Sequence, residues 1–293
     1  MTEVREGGED DLGLAVRLRE ATDALTATTV DDQRVFMRNA EAPLLVFAGE
    51  IGFGLALRFP PERDGELDIR VLREHRHRGA GAALYDALLE HARGQGWPSL
   101  LASAVEQEAL DWLARRGWEE VDRQERVVLE LRDGACDTVP QAPDGGIEIT
   151  DYASRADLAE RLVELTAAGL ADVPGELARL DSPDLATWLK WQEPPSRRPE
   201  FLVIALDGDD VAGFAQLNVY PRVGYHAFTV VARPHRGRGI ARALKTELIR
   251  RARARGLERL ITNSNVDNVA MRTLNAELGY RPVPPRIYLR KPL

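Results

Sequence analysis

VARPHRGRGIARALKTELIRRARARG, residues 231–256, is the stretch whose reading decides the fold. It starts at the end of a β-branched run, Thr229, Val230 and Val231, which predicts a buried strand. A turn rich in glycine and arginine follows, and then apolar residues recur at Ile240, Ala243, Leu244, Leu248, Ile249 and Ala252, the spacing of one helix face. Gly256 supplies a residue that tolerates positive φ just past a helix C-terminus. Strand, tight glycine loop and helix in that order bind anions. Without a Cβ on Gly237 and Gly239, successive backbone N–H groups converge on a phosphate, and the positive end of the helix dipole points at the same place.

The stretch has a second copy. Shifting the sequence by 160 residues sets residues 71–100 on 231–260, with thirteen of thirty positions identical. Close to the same offset the strand pair Leu44 to Phe59 stands against Leu202 to Tyr220, and a gap of two residues brings Gly117 onto Gly279. A period this long exceeds a solenoid unit and fits a duplicated domain. Each copy reads as a short strand, one or two helices, a strand hairpin, the strand–loop–helix segment, a strand, a second helix and a final strand pair or hairpin. Gly49-Glu50 and Asp207-Gly208-Asp209 mark the hairpin turns. The fold class is therefore α/β, with a mixed sheet in each half. The exposed composition of RDGACDTVPQAPDGG places a linker at 133–146, between domains 1–132 and 147–293.

Composition narrows the function. The chain has 293 residues, with 44% hydrophobic and 29% charged residues, which is ordinary for a globular protein of about two domains. No apolar run approaches the ~20 residues of a membrane helix, and the acidic start MTEVREGGEDD does not read as a signal peptide, so a cytoplasmic protein is expected. The single cysteine, Cys136, offers neither a disulfide nor a thiol pair for a metal. Residues 1–132 carry 17 basic and 26 acidic side chains, against 22 and 21 in residues 133–293. The basic excess of the second half lies largely between Arg233 and Arg259, which suits an anionic small molecule and not the extended basic face that nucleic acid requires.

Arg236, Gly239 and Ala241 resemble the acetyl-CoA loop of the Gcn5-related N-acetyltransferase (GNAT) family, written Arg/Gln-x-x-Gly-x-Gly/Ala. A second family motif follows at the right distance, in Asn268, Met271, Leu274, Asn275, Leu278, Gly279 and Tyr280. No Gly-Lys-Ser/Thr follows the loop as in a Walker A motif, and the third glycine of a dinucleotide fingerprint is missing. The resemblance implies two tandem acyl-CoA N-acyltransferase domains with acetyl-CoA as cosubstrate. In the first copy Arg76, Arg78, Gly79 and Gly81 keep the loop, but Glu106 stands at the position of Asn268 and Leu113 at that of Asn275. A carboxylate there repels phosphate, so the first domain is expected to be degenerate and silent and the second catalytic.

In the second domain the resemblance assigns the cofactor's pyrophosphate to the backbone N–H groups of Gly237, Arg238, Gly239, Ile240, Ala241 and Arg242, with charge from Arg236 and Arg238. It implies that the strand ending at Val230 and Val231 splays from its neighbour and pairs with the pantetheine amides, and that one of its N–H groups faces the thioester oxygen. Asn268 is expected to contact the cofactor, with a helix N-cap as the competing role. Asn275 occupies the position where many members carry the tyrosine that protonates the departing thiolate; an amide cannot do that, so Asn275 is expected to bind cofactor. Tyr225 and His226 are the candidate bases, and strand alternation lets at most one face the cleft. Tyr288 is an alternative acid, with edge-strand packing the competing role. Trp188 and Trp191 share a helical face, as pocket wall or core.

The implied reaction is direct acetyl transfer to the primary amine of a small molecule, without a covalent enzyme intermediate. Two other readings stay open: a CoA-binding sensor or scaffold without turnover, and a protein N-acetyltransferase.

Overall fold

The computed structural model describes residues 3–59, 64–131, 146–175 and 182–293. In chain order the elements are β1 (Arg5–Glu6), α1 (Leu12–Thr22), α2 (Val30–Asn39), β2 (Glu41–Ala48), β3 (Gly52–Arg58), β4 (Gly65–Val71), α3 (Ala80–Gly94), β5 (Ser99–Ala104), α4 (Gln107–Ala114) and β6 (Glu119–Glu130). They continue with β7 (Glu148–Asp151), α5 (Ala159–Asp172), α6 (Leu185–Trp191), β8 (Leu202–Asp207), β9 (Asp210–Val219), β10 (Val223–Val231), α7 (Ile240–Ala254), β11 (Arg259–Asn265), α8 (Val269–Glu277) and β12 (Arg281–Pro292). The expected linker at 133–146, Gly146 apart, lies outside the described residues, as does Cys136.

Two compact units emerge, Met1–Arg123 with Arg286–Leu293, and Gln124–Pro285. They differ from the expected ranges 1–132 and 147–293 at the ends. In the first unit the strands run β1-β2-β3-β4-β5-β12, antiparallel except for the parallel pair β4 and β5, with Ile287 to Pro292 of β12 along β5. In the second the order is β7-β8-β9-β10-β11-β6 with the same directions, and Gln124 to Glu130 of β6 runs along β11. Each copy therefore completes its sheet with the last strand of the other copy. Both closing segments are single long strands where a strand pair or hairpin was expected. Neither EEVDRQERVVLE nor RPVPPRIYLRKP contains a glycine or an Asn-Gly type pair that would reverse the chain.

In the second unit α7 follows from its sequence stripe. Leu244, Leu248 and Ala252 are fully buried and pack with Leu217 and Leu260 of the sheet and with Val127 and Leu129 of β6. Burying each leucine stabilises by about 1.5–3 kcal/mol, and Leu244→Ala would remove that and leave a cavity. Gly256, at φ 80°, ends the helix, and Leu257 N–H bonds the Ala252 carbonyl at 3.0 Å. The opposite face is covered by Leu162 and Leu165 of α5 and Trp188 of α6, against Leu202, Ile204 and Phe214. Trp188 is core, edge-on to Tyr152 at 5.5 Å, and Trp191 packs at the margin of the same cluster. The first unit repeats the plan. Leu84 and Leu88 of α3 pack on one face, joined by Ile287 and Leu289 of β12, while Leu12 and Leu18 of α1 pack on the other against Phe47 and Phe53.

Candidate active site in the second unit

β10 and β11 begin side by side and then part. Their parallel register runs from Val223 opposite Arg259 to His226 opposite Thr262 and stops there. Beyond it β11 continues to Asn265 along β6, and β10 continues to Val231 along β9, with its register to β9 shifting between His226 and Phe228. The shift turns the outer part of β10, so that Phe228 and Val230 point to the α5 side while Val231 packs on the α7 side. In the V-shaped gap the strand edge from residue 227 to 231 has no β11 partner, and its backbone groups are available to an extended, amide-bearing ligand.

The mouth of the gap is the glycine loop. Gly237 and Gly239 adopt φ of 79° and 74°, and an atom added at either Cβ would meet nothing within 4 Å, so the loop faces open space. Gly239 caps α7, whose first backbone bond within the helix reaches Ala243 N–H, which leaves the amides of Ile240, Ala241 and Arg242 directed at the loop. The arginines are less available than the sequence suggested. Arg236 donates to the Val231 carbonyl at 3.1 Å and pairs with Asp172 at the end of α5, which also binds Arg233 at 2.5 Å. Arg238 pairs with Asp207 at 2.6 Å, and Arg242 pairs with Glu277. Arg233 and Arg236 hold the Asp172 carboxyl well below its ordinary range, and Arg238 lowers that of Asp207. The anion site thus rests on backbone amides, with the arginines already balanced by carboxylates.

The first unit keeps the shape of this loop and fills its electrostatics differently. Arg76 donates to the Val71 carbonyl at 3.3 Å, as Arg236 does to Val231, but pairs with Glu106 at the start of α4, and lies 3.7 Å from Glu108. His77 Nε2 stands 2.9 Å from Glu108. His77 replaces the glycine at position 237 yet holds φ at 61°, a conformation that costs a non-glycine residue about 1–2 kcal/mol. The counterpart of Asn275 here, Leu113, is part of the apolar core.

The remaining candidates of the second unit separate by face. Asn268 caps α8, its Oδ1 accepting from Met271 N–H at 3.2 Å, the competing role named for it. Asn275 is 0% exposed, and neither of its amide atoms has a partner among the described residues. His226 is buried, and both its ring nitrogens lack partners among the described residues. Burial, and then the nearby Lys245, push its pKa well below the ordinary imidazole value, so it is neutral near pH 7. Tyr225 points to the other face, where its hydroxyl accepts from Asn263 Nδ2 at 3.4 Å. Of the two candidate bases, then, His226 faces α7 and Tyr225 faces the α5 side. Tyr288 belongs to the first unit, on β12 opposite Ser103 of β5.

Two groups at the gap, Lys245 and Ser264, were missed from the sequence. Lys245 of α7 is 1% exposed, with its Nζ 5.4 Å from the centre of the Tyr280 ring. Tyr280 in turn lies edge-on to His226 at 6.1 Å. Ser264 of β11 is buried, its hydroxyl without a partner among the described residues. The signal for Lys245 was its place four residues before Ile249, on the apolar stripe of the helix.

These features fit a CoA thioester. The open glycine loop accepts a diphosphate, the unpaired edge of β10 accepts amides, and the buried groups at the vertex of the gap lack hydrogen-bond partners.

Comparison with known proteins agrees. The sequence model of the acetyltransferase (GNAT) family matches residues 17–120 and again 170–280. No curated protein matches the sequence. Among solved structures, a tandem GNAT protein from the clavulanic acid biosynthesis pathway, crystallised without AcCoA, is similar with TM-score 0.77 and 20% identity, over 99% of this chain and 98% of that one. A GCN5-related N-acetyltransferase from Sphaerobacter thermophilus gives TM-score 0.73 and 18% identity, over 99% and 95%. One from Kribbella flavida gives 0.57 and 16%, over 91% and 97%. With the family matched twice along the sequence and both copies built on one strand order, the chain belongs to the acetyltransferase (GNAT) family and is a tandem acyltransferase.

Proposed function

We infer that the second unit transfers the acetyl group of acetyl-CoA to the primary amine of a small molecule, and that the first unit does not turn over. One observation carries this reading: Asn275 of α8, wholly buried and bonded through its backbone carbonyl to Tyr280, leaves both side-chain amide atoms without a partner among the described residues, while its counterpart Leu113 is packed in an apolar core. Leaving such a group unsatisfied costs about 1–3 kcal/mol, which a polar ligand in the gap would relieve. The loop amides would hold the diphosphate, the edge of β10 the pantetheine amides, and alignment of thioester and amine would supply much of the rate.

Calorimetry with acetyl-CoA and the whole chain tests the assignment to one unit, with one site per chain as the expected result. Thiol release with a panel of amino sugars, polyamines and amino acids, followed by mass spectrometry of products, tests the acceptor. Acetylated lysine peptides in place of acetylated metabolites would move the reading to a protein acetyltransferase. Saturable binding at two sites per chain would overturn the silence of the first unit.

A further inference from the structure

We propose that Lys245 is the catalytic acid of the second unit, giving its Nζ proton to the CoA sulfur as the thioester breaks. The proposal deepens the function inferred above and rests on it.

The position of the sulfur follows from length. From the loop at the end of β10 to the vertex at His226 is five residues, about 16 Å at the rise of a strand, the span of an extended phosphopantetheine arm. A cofactor anchored at Gly239 and paired along β10 therefore brings its thioester to the vertex, where His226 meets Thr262. On the α7 side of that vertex stand His226 from β10 and, by strand alternation with Leu260, Thr262 and Ser264 from β11; Tyr280, just before β12, lies 6.1 Å from His226 and 5.4 Å from Lys245 Nζ of α7, and its N–H donates to the Asn275 carbonyl of α8 at 3.0 Å. Three of these, His226, Ser264 and Asn275, are buried with polar atoms that find no partner among the described residues, which marks a place built for a polar group that arrives from outside.

Only one side chain in this set carries a proton suited to the task. Asn275, Thr262 and Ser264 do not titrate near neutrality, a phenol such as that of Tyr280, ordinarily at about 10, holds its proton more tightly than a thiol, and His226 is held neutral. Lys245 faces no carboxylate among the described residues, and burial alone lowers its pKa to about 7. Its ammonium is then a stronger acid than an ordinary thiol at about 8.5, so transfer to the leaving sulfur is favourable, and a buried positive charge also steadies the negative charge that grows on sulfur. Residue choice points the same way. The chain has only three lysines among 39 basic residues; Lys190 is exposed and Lys291 donates to the Arg116 carbonyl. Lys245, sealed in this interior, is of the type that releases a proton near neutrality once buried, which arginine does not.

The step balances. The acceptor nitrogen bonds to the acetyl carbon, the carbon–sulfur bond breaks, and its electron pair goes to sulfur. The Nζ proton passes to that sulfur, leaving CoA as thiol and Lys245 neutral. The acceptor nitrogen loses its proton to solvent and Lys245 regains one from solvent, so that overall one proton moves from nitrogen to sulfur.

The test uses the whole chain and Lys245→Met, with Lys245→Gln as a second variant, and follows acyl transfer to the amines that sustain wild-type turnover, or hydrolysis without amine. With acetyl-CoA, kcat should fall about 100-fold, within the range of general acid catalysis, while acetyl-CoA affinity by calorimetry changes less than threefold. With acetyl-seleno-CoA, whose leaving selenol is far more acidic and needs no donor, the loss should shrink below fivefold. An equal loss with both donors makes Lys245 structural, and unchanged kcat with acetyl-CoA removes it from the reaction; either outcome overturns the proposal. Wild-type protein that binds no acetyl-CoA would instead bring down the function inferred above, and this proposal with it.

Discussion

Arg76 is paired with Glu106 across the glycine loop of the first unit, whereas Arg236, its counterpart, is paired with Asp172, and the position matching Glu106 is Asn268. The carboxylate that neutralises the first loop comes from the helix following β5, and Glu108 of the same helix lies beside Arg76 and His77. Substituting Glu106→Asn together with Glu108→Gln removes that charge. A second, weaker acetyl-CoA binding event should then appear in calorimetry of the whole chain, beside the single one expected of the wild type.

Gly239 separates the cost of a strained backbone from the cost of a blocked anion site. Valine at φ 74° should destabilise the protein by about 1–2 kcal/mol, and its side chain would stand in the open face of the loop. Gly79→Val meets the same backbone penalty at φ 91° in the first unit. Both variants should lower the denaturant midpoint by similar amounts, but only Gly239→Val should weaken acetyl-CoA binding, by tenfold or more. Equal effects on binding would mean that the second loop holds no cofactor.

Lys245 makes stability depend on pH in a direction opposite to that of an ion-paired lysine. Burial lowers its pKa from 10.5 to about 7, so between those values the unfolded chain binds more protons than the folded one. Stability therefore rises with pH from about 7 to 10.5, and below 7 the full penalty of the buried ammonium is present. His226, also lowered by burial, adds a loss of stability as pH falls below 6.5. Chemical denaturation across this range should show a positive slope between pH 7 and 10 that disappears in Lys245→Met, which should also be more stable than the wild type at pH 6.

Strand–loop–helix, the 160-residue repeat and the sheet class were readable because each rests on local chemistry: glycines at positive φ, a 3.6-residue apolar stripe and alternating strands. Asn268 as a cap was readable as one of two roles, and the carboxylate that Glu106 brings to the first loop was readable as a change of charge. What was not readable came from pairing over distance. Nothing in residues 119–130 says that they lie along β11, and nothing near Tyr288 says that it lies along β5. The pairing of Arg236 and Arg238 with Asp172 and Asp207 also depends on how α5 and the β8–β9 turn meet the loop. Lys245 was passed over because a single charged residue on an amphipathic helix reads as solvated unless its angular position is tracked.

The crossed closing strands make a prediction of their own. Fragments 1–132 and 147–293 expressed separately should each lack the strand that covers the exposed edge of β5 or β11, and should be insoluble or largely unfolded by circular dichroism. Produced together, they should recover the native spectrum.

The same crossing bears on how such a gene can age. After a duplication, a copy that has lost its chemistry is ordinarily dispensable, and deletion trims it away. Here Val127 and Leu129, which belong to the first copy in sequence, lie in the core of the second, so erasing the first half would unmake its sibling. Ancestral redundancy has been turned into mutual dependence, and drift can reshape the first loop but cannot discard its domain.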